Sequence, residues 1–164
     1  QYFAKCNAVA TLKMLEIVEK NPSSFSYVSS SYYDSISGIL NHIYISNINW
    51  LKDFSKVIES NINREIELLV LPEYGSTPLP SFEIAKSSLV EILDLITKLC
   101  ASIKDDDLSK IMVKKRRNGE IIEKIAWKAL LHFFNHQTHH RGQISQILDE
   151  LKIENDYSNM IFID

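Results

Sequence analysis

The 164-residue sequence predicts an all-α protein, a four-helix bundle with a long crossover and a small β-hairpin before the last helix. Three observations carry that prediction. Four long segments repeat their apolar residues at helical spacing. The whole chain holds only four glycines and four prolines, too few for the many tight turns of a sandwich or barrel. Finally, the strongest turn signals cluster between the third and fourth segments.

The first helix runs from Tyr2 to about Lys20, with Val9, Leu12, Leu15, Ile17 and Val18 as its apolar positions, and stops before Asn21-Pro22. The second extends from about Tyr33 to Phe54 and carries Ile36, Leu40, Tyr44, Ile48 and Leu51 at helical spacing. Ser and Asp residues around its start are suitable caps. The third opens after Pro80-Ser81 and runs to about Ile103 through Leu89, Ile92, Leu93, Leu95, Ile96 and Leu99. The fourth begins near Ile125 and ends near Leu151. Between the last two, Asn118-Gly119 flanked by Ile111/Val113 and Ile121/Ile122 predicts a hairpin at the bundle's edge. The segment 59–79 contains Pro72, Pro78 and Gly75 and reads as an ordered crossover or pocket rim rather than a strand. A single domain over residues 1–164 is expected.

Composition limits function. A net charge of -3 gives no electrostatic basis for nucleic-acid binding, and Lys114 to Arg117 reads as a soluble charged edge. Cys6 and Cys100 form no CxxC pair and are expected to be reduced, buried thiols. No apolar run approaches the roughly 18 residues of a membrane span, and no signal-peptide pattern opens the chain. A cytoplasmic protein without membrane contact is the expectation.

Chemistry concentrates in "FFNHQTHHRGQ", residues 133 to 143, which holds three of the five histidines. Leu130, Phe133, Ile144, Ile147 and Leu151 mark the buried face of the last helix. His140 falls near the centre of that face, His136 at its edge, and His139 points away. His136 and His140 are an i, i+4 pair, the spacing at which two imidazoles can bind one metal ion. His132 and His136 share that spacing, and helical position favours 136/140 by a small margin. His42 alone lies outside this helix, and it sits off the main apolar face of helix two. Tyr44 and Trp50 read as core. Arg141 fits either an anion-binding role or a helix tether, and Gln143 fits a supporting bond to a ligand imidazole.

Residues 135–143, Asn-His-Gln-Thr-His-His-Arg-Gly-Gln, and residues 37–51, "SGILNHIYISNINWL", resemble two segments of the DinB/YfiT-like family of bacterial four-helix bundles. "RNGE" and "WKALLHFFNH" are similar to the hairpin and helix approach of that family. The resemblance covers nearly the whole chain. It implies that His42, His136 and His140 hold a divalent metal, Zn or Ni first and Fe or Cu after them. It also implies a metal-dependent enzyme activating a thiol or water, an S-transferase acting on a low-molecular-weight thiol and a small electrophile, or a hydrolase. The alternative is a non-catalytic, stress-related bundle with a structural metal. Pairing into a homodimer is implied too, through apolar residues such as Phe54 or Ile163. Residues 7–11 depart from the family, where an aromatic residue and a second Asn are common. The C-terminal "IENDYSNMIFID" lacks the family's Gly…Pro-Pro turn.

Overall fold

The structure, a computed structural model, describes residues 1–115 and 118–163, the side chain of Phe162 excepted. It is mostly helical. Four long helices, α1 (Tyr2–Lys20), α2 (Ile36–Phe54), α4 (Phe82–Ser102) and α6 (Ala126–Glu150), are joined by two short ones, α3 (Asn63–Leu68) and α5 (Asp105–Ser109). α1 and α2 each pack against both α4 and α6. Among the described residues no helix is long and apolar enough to cross a membrane.

Local chemistry explains where these helices start. The hydroxyls of Ser35 and Ser81 accept the backbone N–H groups of Gly38 and Ile84, capping α2 and α4. The cap at Ser35 delays α2 by three residues relative to the expected start at Tyr33. Asp34, immediately before the cap, lies in the left-handed region at φ 62°. The two short helices were not visible in the periodicity, because a helix of five or six residues spans too few turns to show a face.

In α1 the buried face is Ala4, Asn7, Thr11, Met14, Leu15 and Val18, whereas Leu12 is exposed. Thr11 is thus buried where apolar spacing had placed its neighbour Leu12, and Asn7 is buried one turn before it. Two apolar cores flank the middle of the molecule. One gathers Phe54, Ile58, Ile96 and Phe133, and the other Met14, Leu40, Leu89 and Ile147, with Tyr44 packed against both. Phe54 is buried and so offers no surface for pairing of copies. Cys6 and Cys100 are free and buried.

The hairpin forms as expected, from β1 (Ile111–Lys115) and β2 (Ile121–Ile125), antiparallel with Val113 opposite Glu123. The apolar residues that flank the turn do not all face the helices. Ile111, Val113 and Ile121 are exposed, while Met112 is buried and Lys114 and Ile122 are half-buried. A strand reverses its faces every residue, so the core takes whichever set meets the helices. Of the basic run, Arg116 and Arg117 lie outside the described residues. Lys114 is not a free edge charge, since its ammonium bonds the Asp53 carboxylate and lies 4.2 Å from the centre of the Trp50 ring.

Candidate metal centre

α2 and α6 are held in register by a buried polar pair, the Gln137 amide donating to Asn47 Oδ1 at 2.6 Å. Buried amides left unpaired are costly, so this bond disfavours a sliding of one helix along the other. In that register His42 of α2 faces His136 and His140 of α6. The Nε2 atom of His136 lies 3.2 Å from Nε2 of His42 and 3.0 Å from Nε2 of His140. One ligand atom from each of the three lies within 4.8 Å of the others.

The polar bookkeeping of this cluster favours a cation at its centre. His140 Nδ1 is 2.7 Å from Gln143 Oε1, an acceptor, so that nitrogen carries the proton and Nε2 presents its lone pair. His136 Nε2 can aim a proton at only one of its two neighbours, leaving the other approach without a hydrogen. His136 Nδ1 is buried with no hydrogen-bond partner among the described residues. Two imidazole nitrogens on one zinc-like ion, each about 2.0–2.1 Å from it, are about 3.3–3.4 Å apart at the tetrahedral angle and about 2.8–3.0 Å apart at a right angle. The observed 3.2 Å and 3.0 Å lie at or between those limits, so the three residues fit such an ion with ligand angles somewhat below tetrahedral.

Electrostatics agrees with the geometry. Burial first, and then the neighbouring imidazoles, lower His42 to about 4 and His136 to about 3. His140 is lowered as well, chiefly by burial, against the opposing bond to Gln143. All three are neutral near pH 7, the form that coordinates metal. His139 is exposed and outside the cluster, as expected, and only touches the His140 ring edge-on at 4.9 Å. His132 is not among the converging nitrogens. Its ring lies 6.2 Å from that of His136 and packs near Trp50.

Two tyrosines that no sequence pattern selects flank the cluster. The Tyr33 ring stacks on His42 with centres 4.5 Å apart and meets His140 edge-on at 5.6 Å. Tyr74, from the crossover, lies edge-on to His42 at 6.0 Å. A cavity of about 280 Å³ opens here, bounded by Tyr33, His42, Ile45 and Tyr74. The crossover is fixed above it by Asn41, whose buried amide bonds both the N–H and the C=O of Leu79. Pocket rim was thus the right description of residues 74–77.

Arg141 is a tether. Its guanidinium is buried and donates to Asn7 Oδ1 and Thr11 Oγ1 of α1, and to Thr138 Oγ1 on its own helix. Burial lowers its pKa to about 10, so it remains charged at neutral pH. Tyr44 belongs to the core as expected, whereas Trp50 both packs on Phe54 and lines a cavity beside the hairpin.

Comparison with known proteins places this arrangement. Residues 7–154, which include all three converging histidines, match the DinB family. The chain belongs to the DinB family. A relative, Protein DinB of Bacillus subtilis (strain 168), is 28% identical over 123 residues, covering 72% of this chain and 65% of the relative. The match therefore spans just under two thirds of that DinB protein's own length. No solved structure matches the chain significantly.

Proposed function

We propose that this DinB-family protein is a metal-dependent enzyme of the S-transferase type, built as a four-helix bundle. His42, His136 and His140 hold a divalent ion, and the cavity beside Tyr33 and Tyr74 receives a low-molecular-weight thiol and a small electrophile. The observation that carries this reading is the convergence of three neutral imidazole nitrogens at spacings suited to one ion. An imidazole donor set suits Zn or Ni, with Fe or Cu as alternatives, and such an ion supplies Lewis acidity that favours the deprotonated form of a thiol or water.

The chain's own residues do the rest. Gln143 accepts the His140 Nδ1 proton and so holds that ring's lone pair toward the centre. Tyr33 covers one face of His42 and excludes water from it. Burial, and then the neighbouring Tyr74 phenol, raise the Tyr33 pKa well above the ordinary phenol value. Its hydroxyl therefore keeps its proton and can donate a hydrogen bond to a substrate entering the cavity. Arg141, engaged by Asn7 and Thr11, is not the anion receptor. A cytoplasmic homodimer without a nucleic-acid partner completes the proposal.

Metal analysis of protein purified without a His-tag tests the reading, together with turnover of a thiol and a model electrophile. About one equivalent of metal per chain is expected, lost in His136→Ala, with turnover dependent on the metal. Protein that is metal-free and refuses added Zn or Ni overturns it. Bound metal with no thiol-dependent turnover or thermal stabilisation leaves the structural-metal alternative instead.

A further inference from the structure

A second cavity, of about 500 Å³, lies between the hairpin and the first turns of α6. Its floor is apolar, made by Trp50, Met112, Ile122 and Ala129. Its rim is basic, with Lys114, Lys124 and Lys128, and His132 closes the side toward the histidine cluster. Lys114 is paired with Asp53, a carboxylate it shares with Lys56. Lys124 and Lys128 are exposed and have no carboxylate partner among the described residues, Lys128 lying only over the Trp127 ring at 5.4 Å. In a chain of net charge -3, two unpaired ammonium groups beside an apolar cavity are a local reversal of sign. A solvated charged edge needs no cavity beneath it. Convergent polar groups on an apolar hollow of this size are the usual form of a small-molecule site.

We propose that this cavity is a second binding site, for a small organic anion with an apolar body, such as an aryl or alkyl carboxylate. The body rests on Trp50 and Met112 and the carboxylate meets Lys124 and Lys128. The His132 and His136 rings are 6.2 Å apart, so an occupant sits one imidazole away from the metal-centre histidines without needing them. The site stands whether or not the histidines bind metal.

The test follows Trp50 emission in a Trp127→Phe background, on chelator-treated protein, with phenylpropionate and its uncharged amide as probes. Saturable binding of the carboxylate is expected, with the amide at least about tenfold weaker. Lys124→Gln/Lys128→Gln should weaken the carboxylate about tenfold and leave the amide unchanged, and salt at about 0.5 M should reproduce that loss. His136→Ala should bind like its parent. No saturable binding, equal affinity for acid and amide, or an unaffected double-lysine variant overturns the proposal. Loss of binding in His136→Ala also overturns it, because the anion would then sit at the histidine centre. Failure of the metal reading appears separately, as absent metal in the untreated protein.

Discussion

Mild acid should destabilise the metal-free protein, and the histidine cluster should be the main cause. His42 and His136 are held at about 4 and about 3 in the folded chain. Released by unfolding, both return to about 6.5. Above that value both states are neutral and the pair contributes nothing to the pH dependence. As the pH falls below it, the unfolded chain takes up protons that the folded chain refuses, so stability falls until the folded values are reached. At about pH 5 the linkage amounts to about 2 kcal/mol for each histidine, about 4 kcal/mol for two. Both rings are half-buried, and solvent screening reduces the sum to about 2–3 kcal/mol. Urea unfolding of chelator-treated protein at about pH 7.5 and about pH 5 measures it. Comparison with His42→Gln/His136→Gln cancels the carboxylates and the remaining histidines. The wild type should lose about 2–3 kcal/mol more than the variant over that interval. An equal loss in both proteins would refute the reasoning, since the acid sensitivity would then arise elsewhere.

Substitutions at four further positions have defined outcomes. Gln143→Leu removes the acceptor at His140 Nδ1 and should lower Zn affinity about ten- to hundredfold in a chelator competition, with the fold unchanged by circular dichroism. Arg141→Ala strips Asn7 and Thr11 of their buried donor and should cost about 2–4 kcal/mol in urea unfolding; Arg141→Lys should recover only part, because an ammonium lacks the guanidinium's fork. Gly38→Ala drives a methyl into the Tyr33 backbone carbonyl and should destabilise by about 1–3 kcal/mol, while Gly142→Ala, with open space around it, should stabilise α6 by about 0.5–1 kcal/mol.

The helices and the hairpin were legible because their causes are local. Ser81 after Pro80 caps α4, and Gly119 supplies the positive φ, 85°, in the connection between the two strands, whatever the rest of the chain does. The i, i+4 spacing likewise puts His136 and His140 on one face of any helix that contains them. Periodicity could not assign His42, nor separate 136/140 from 132/136 by more than a small margin. The family resemblance named His42, but its approach to His136 depends on how far α2 is shifted along α6, which the Asn47–Gln137 pair fixes across 90 residues of chain. Tyr33 and Tyr74 were invisible for the same reason, since one precedes a cap and the other lies in an irregular crossover with no repeating face. Which side chains share a turn follows from chain order and helical spacing alone. Which turns face each other follows only from packing, because inter-helix register is set by long-range polar pairs and core shape that leave no local pattern.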